Sequence, residues 1–253
     1  GATTFLAELI SDNSTRLIDQ PLEMYPKGYY SKIRNLKLKF LPYYENSVFI
    51  NLCNNDKKSI KFFLKSLLEG KHSYFDLNFG ISKKNVLFKN CNANYLLPLY
   101  NSLGIKTIIL FRHPYTQSLS CLRNNWGHVY QTYFNSSFFI KKYLSDQKLK
   151  EIKYLEDNMS EIEKYILDWY CNNAEILKSY EKYFFLYHVD FFNDFELTVN
   201  SLENFLDKKI NRTKRFKPSA TSNFSDKTSF DNLLKSQLEL FENIEPKLKN
   251  KIS

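Results

Sequence analysis

The stretch "GIKTIILFRHPYTQSLSCLRNNW", residues 104–126, constrains this chain more than any other. An apolar run over 107–111 ends in Arg-His-Pro and passes straight into a segment with helical spacing. The run has the length and branching of a strand buried on both faces. Pro114 stands where a helix takes its first residue, because the N–H it lacks has no partner there. The spacing therefore predicts Arg112 at the carboxyl end of a buried strand, with Ser120 about two turns into the next helix. In open α/β sheets, ligands bind in the crevice beyond the carboxyl ends of the strands. An Arg and a hydroxyl converging there suit an anion with several oxygens. The plainer alternative is a core strand with a surface Arg and an ordinary helix Ser.

The same alternation runs along the chain. Apolar spacing predicts helices over 3–11, 57–70, 93–103, 114–125, 138–149, 159–179, 194–206 and 231–250. It predicts strands over 47–53, 85–90, 106–112 and 183–189, and an irregular, Tyr-rich region between the first helix and about residue 46. Strands alternating with helices imply crossover units and a parallel sheet covered on both sides. The expected fold class is α/β, a three-layer α/β/α arrangement with a mostly parallel central sheet. At 253 residues, one core and one domain over 1–253 are expected. "GATTFLAELIS" enters helical spacing at once, with Phe5, Leu6, Leu9 and Ile10 on one face. The chain is thus expected to begin inside a motif whose strand lies upstream.

The formal charge of +9 favours anionic partners: nucleic acid, an acidic membrane face, a polyanionic glycan or a phosphorylated small molecule. The excess is spread along the chain, densest in "KIRNLKLKF" at 32–40, which reads as an amphipathic strand with a basic face. Cys53, Cys91, Cys121 and Cys171 show neither CxxC nor His-linked spacing, so no zinc site or disulfide framework is expected. Reduced thiols point to a cytoplasmic protein, and no apolar run approaches the length of a membrane span.

Two further segments carry anion chemistry. Gly1, Ala2, Thr3 and Thr4 put small residues and two hydroxyls at a helix start, where free N–H groups and the helix dipole can hold a phosphate. The Lys-Ser/Thr pair of a Walker A loop is absent. The loop "RTKRFKPSATSNFS", 212–225, gathers Arg212, Lys214, Arg215 and Lys217 with Ser219, Thr221 and Ser222, donors with almost no acceptor charge.

Together these pieces resemble the sulfotransferase family that uses 3′-phosphoadenosine 5′-phosphosulfate (PAPS). "GATTFLAELI" is similar to that family's first loop, which holds the 5′-phosphosulfate. "FRHPYTQSLS" is similar to its strand–Arg-x-Pro–helix motif, in which Arg112 and Ser120 would bind the 3′-phosphate. "VLFKNCNANYLLPLY" resembles its strand with a Lys, which implies Lys89 near the sulfuryl group. Asp190 falls where an acidic residue is usual, and "KPSATS" resembles a late loop that would close Arg215, Lys217 and Ser219 over the nucleotide. The Arg-Lys-Gly triplet of cytosolic small-molecule members is missing, so the resemblance is to the glycan and bacterial branches.

Sulfuryl transfer needs a base for the acceptor hydroxyl and cations for the leaving bisphosphate. Small-molecule members of the family use a His two residues beyond the strand Lys, where this chain has Cys91. Other branches use a Glu beyond the first loop, where Gln20 falls, flanked by Asp19 and Glu23. Glu23 is the candidate base, since a loop before a turn could present it. His128 is the other, because an unperturbed imidazole titrates near neutral pH; a lone His among aromatics also fits packing or acceptor contact. No metal is expected. The acceptor implied is a hydroxyl of a sugar or glycan, chosen by aromatic loops near 24–46 and 126–137, and no nucleic-acid partner is expected. Two alternatives remain at this point: a degenerate, non-catalytic anion- or nucleotide-binding module, and a P-loop small-molecule kinase.

Overall fold

The computed structural model describes residues 2–19, 21, 54–70, 85–91, 93–144, 146–179 and 182–213. Outside these lie the expected strand 47–53, the basic segment 32–40, the closing helices 231–250, and Gly1, Gln20, Glu23, Arg215, Lys217 and Ser219. The chain divides into two compact units. The first comprises residues 1–110 and 190–216, the second 111–189 and 217–253.

In the first unit, α1 (Ala2–Ile10) buries Leu6, Ala7, Leu9 and Ile10. The turn after it forms because Asp12 accepts from the Ser14 N–H at 2.9 Å and the Thr15 hydroxyl at 2.7 Å. It delivers β1 (Thr15–Asp19), which pairs in parallel with β2 (Asn85–Lys89), from Thr15 beside Asn85 to Asp19 beside Lys89. This corrects the expected irregular region after the first helix. A parallel pair needs a long crossover, and α2 (Asn54–Leu68) lies within it. Gly70 closes that helix at φ +66, and a Cβ there would meet the Arg16 guanidinium at 3.3 Å. Where one helix was expected over 93–103, a 3₁₀ turn at Asn94–Leu96 precedes the short α3 (Leu97–Asn101), because Pro98 lies at its start.

The boundary between the units falls in β3 (Ile108–Phe111). In the second unit, the Phe111 ring meets Phe185, Tyr187 and Trp169 edge-on, at 5.9, 6.2 and 5.1 Å. Its carbonyl accepts from the His188 N–H at 2.8 Å, just past β4 (Phe184–Tyr187). Pro114 opens α4 (Pro114–Arg123). Then come α5 (Tyr130–Phe134), which the apolar spacing did not reveal, α6 (Ser137–Tyr143) and α7 (Asp146–Glu156). The single helix expected over 138–149 is two, broken where Leu144 turns extended. The second unit's spine is α8 (Glu161–Lys178), started by a reciprocal capping box between Ser160 and Glu163 and packed against α4.

Back in the first unit, α9 (Asp190–Asn193) and α10 (Phe195–Leu206) follow, and Phe191 meets Phe5 of α1 edge-on at 5.5 Å. Past α10, Lys208 donates to the Ile10 carbonyl at 2.9 Å and pairs with Asp12 at 2.6 Å. That cation satisfies a carbonyl at the end of α1 and sits at the negative end of its dipole. Among the described residues the strands form two two-stranded sheets. The protein is thus a mixed helix-and-strand protein with short sheets, compatible with α/β. No described helix is long and apolar enough to cross a membrane.

Candidate functional site

Each unit holds one set of the residues singled out from the sequence. In the first, Thr3 and Thr4 occupy the first turn of α1, Thr3 half-buried and Thr4 exposed. The Thr3 hydroxyl lies 3.8 Å from the Cys91 thiol, and α1 packs on β2, so the helix start adjoins the carboxyl end of that strand. Lys89 is the last residue of β2, and its Nζ donates to both Asp19 carboxylate oxygens, at 3.0 and 2.9 Å. The Lys89 side chain is 12% exposed and Asp19 57%, so the ammonium sits at a rim rather than in bulk water. Free N–H groups at a helix start, two hydroxyls and a held ammonium make an edge suited to oxyanions. Asp19, passed over in favour of Glu23, is the carboxylate beside Lys89. Its place follows from the parallel register, which is legible only once β1 is recognised as a strand.

In the second unit, Arg112 follows β3, and its carbonyl accepts from the Trp169 indole N–H at 3.2 Å. The guanidinium is half-buried, and burial pulls its pKa below the usual value. It lies close enough to His188 to help burial push that imidazole down to about 4. It also opposes the rise of the Cys121 thiol, which burial and the Asp168 charge lift to about 11. Cys121 adjoins Ser120, which stands half-buried on α4. Arg112 thus stands at the junction of β3 with α4, and Ser120 on α4 itself. His113 is the N-cap position of that helix, its carbonyl accepting from Gln117 N–H and the Thr116 hydroxyl, both at 3.0 Å.

His128 meets two acidic residues of α8 that sequence reasoning missed. Its Nε2 lies 2.8 Å from Glu161 and its Nδ1 3.6 Å from Asp168, with its ring 4.1 Å from that of Tyr165. Asp168 also accepts from the Val129 N–H at 2.9 Å and from the Tyr130 N–H. Burial lifts its carboxyl to about 6 against those hydrogen bonds, while Lys164 and then His128 hold Glu161 down at about 2. Glu161 and Asp168 stand seven residues apart, on one helix face, and that spacing could have flagged them.

Arg212, counted among the anion-binding donors of the late loop, is held within the protein. It donates to Glu196 and Asn200 at 2.6 Å each and to Glu203 at 2.7 Å, and Glu203 also accepts from the Ile210 N–H at 2.8 Å. These bonds anchor the chain where it leaves α10. Among the described residues no group of three His, Cys, Asp or Glu is placed to hold a metal ion. No protein-family model, curated protein or solved structure matches the chain.

Proposed function

We propose that the chain is a sulfotransferase that moves the sulfuryl group of PAPS to a hydroxyl of a glycan or other small acceptor, on a three-layer α/β/α fold with a mostly parallel central sheet. The observation that carries this reading is the passage from β3 through Arg112 and Pro114 into α4, on which Ser120 stands half-buried. A half-buried guanidinium whose burial is unfavourable gains from an anionic ligand. The reading assigns the 3′-phosphate to Arg112 and Ser120, and the 5′ side to Thr3, Thr4 and the backbone around Gly1 and Ala2. Arg215, Lys217 and Ser219 would close over the nucleotide.

In the transfer, the acceptor oxygen forms a bond to sulfur as the bond from sulfur to the bridging phosphate oxygen breaks. The electron pair leaves on the bisphosphate. Lys89 would offset the charge that grows on that bridging oxygen, and the acceptor's proton goes to a carboxylate. Glu23 is one candidate; Asp19, 2.9 Å from Lys89, is another. His128 has its Nε2 engaged by Glu161, which favours a positioning role for it over proton transfer.

A non-catalytic reading has its own observation: Cys91, at a position where small-molecule sulfotransferases carry a base, contacts Thr3. Binding of the product nucleotide 3′-phosphoadenosine 5′-phosphate without transfer to any acceptor would favour it. Calorimetric titration with that nucleotide tests the site itself. The intact chain is expected to bind at micromolar concentration. Arg112→Ala is expected to weaken binding at least tenfold, about 1.4 kcal/mol, and Ser120→Ala by less, since a neutral hydroxyl contributes less than a charged donor. A folded chain that ignores the nucleotide, or an Arg112→Ala variant that binds it equally well, would refute the assignment.

A further inference from the structure

The outer face of α2 serves neither the core nor the chemistry proposed above. Ile60, Phe63, Leu64 and Leu67 are buried and fix which side of this helix faces inward. On the other side Lys57, Lys58, Lys61 and Lys65 are all exposed. Helical geometry gathers them into an arc of about 100°. Phe62 stands at the edge of that arc, one turn beyond Lys58, with 70% of its surface in water. Among the described residues, the acidic neighbour of these lysines is Glu69, 3.7 Å from Lys65. That exposed ion pair offsets little of the charge.

Such a face is unfavourable in isolation. Like charges one turn apart repel, and the Phe62 ring is left against water. Both costs are relieved by the same partner, a surface that is anionic outside and apolar a few ångströms beneath. We propose that α2 docks in the plane of an anionic lipid surface, its four lysines among the headgroups and Phe62 entering the boundary with the acyl chains. A soluble polyanion would answer the lysines but offers no apolar layer for the ring. Phe62 therefore favours lipid over glycan or nucleic acid. The inference does not depend on the proposed transferase activity.

Sedimentation of the full chain at physiological salt, with phosphatidylcholine vesicles with and without a third of phosphatidylserine, tests it. The protein is expected to bind the anionic vesicles and not the neutral ones. An anionic surface contributes about fivefold per nearby lysine. Replacing Lys57, Lys58, Lys61 and Lys65 together by Gln is thus expected to weaken partitioning at least twentyfold. Phe62→Ala is expected to weaken it at least fivefold with the salt dependence unchanged. A charge-matched control replaces the exposed Lys141, Lys150, Lys153 and Lys182 by Gln and is expected to stay within twofold of the parent. Failure to bind anionic vesicles overturns the proposal, as does a control that loses as much as the α2 variant. A loss that needs the α2 lysines but not Phe62 also overturns it, because the contact is then electrostatic alone and does not enter the acyl boundary.

Discussion

Asp168→Ala is expected to lower stability by roughly 3–5 kcal/mol, and Asp168→Asn by less than half as much. Asp168 is 7% exposed on α8, and one oxygen, Oδ1, accepts from both the Val129 and the Tyr130 N–H. Alanine leaves two backbone donors without their acceptor, and each such orphan costs about 1–3 kcal/mol. It also removes the negative charge 3.6 Å from the His128 Nδ1. Asparagine keeps an oxygen where Oδ1 was, so the two N–H bonds to it survive, while the longer Val129 N–H contact to Oδ2 at 3.2 Å and the charge facing His128 are lost. Urea unfolding of the three proteins at one pH measures the difference. Losses equal within about 0.5 kcal/mol would mean that the charge, not the two hydrogen bonds, is what Asp168 contributes.

Those bonds hold a segment with functional consequence. α4, which carries Ser120, ends at Arg123, and the chain from Trp126 to Tyr130 is then tied to α8 three times. The Tyr165 hydroxyl donates to the Trp126 carbonyl, His128 meets Glu161, and Asp168 takes the N–H groups of Val129 and Tyr130. Releasing the Asp168 tie is expected to free the Val129 and Tyr130 amides to exchange faster. It would also loosen the exit of the helix on which the proposed phosphate site depends.

What could be read from the sequence depended on how local each determinant was. α8 was legible because its apolar period runs unbroken and Ser160 with Glu163 spells a start signal. β3 and α4 were legible because Pro114 marks the junction. β1 was not: "TRLID" has only Leu17 and Ile18 as apolar residues, and the polar Thr15, Arg16 and Asp19 around them read as a loop. It is a strand because β2, seventy residues on, pairs with it, which is tertiary context overriding local pattern. α5 was invisible for a related reason, since the N–H at its first residue, Tyr130, is satisfied by a carboxylate on α8. Arg212 was misjudged from its basic neighbours alone. Its three partners, Glu196, Asn200 and Glu203, stand at helical spacing on α10 and form one face. Composition drew attention to the cations, but only periodicity could have shown the acceptors waiting for one of them.

The pH dependence of stability carries the other large effect, and in the unaltered protein it is hidden. Burial raises the Asp168 carboxyl to about 6, and burial with Arg112 lowers His188 to about 4. Between pH 4.5 and 6 the folded protein holds a proton on Asp168 that the unfolded chain has released, so this group makes stability fall as pH rises. Over the same window the unfolded chain holds a proton on His188 that the folded protein lacks, so that group makes stability rise. Each contributes about 2 kcal/mol across 1.5 pH units, with opposite sign. Glu161, held down at about 2, makes most of its change below this window. The parent is therefore expected to show a nearly flat profile from these two groups. His188→Gln should expose the Asp168 slope, stability falling by about 2 kcal/mol from pH 4.5 to 6, and Asp168→Asn should expose a rise of the same size. Urea midpoints at four pH values across the window decide it, and flat profiles in both variants would refute the two shifts together. Arg112→Ala adds a further arm: without the neighbouring guanidinium the His188 pKa should climb toward its ordinary value, and the parent's balance should tip toward the falling slope. An anion bound at Arg112 would screen the same charge and shift His188 in the same direction. A nucleotide-dependent change in the His188 titration would then tie this stability balance to the proposed site.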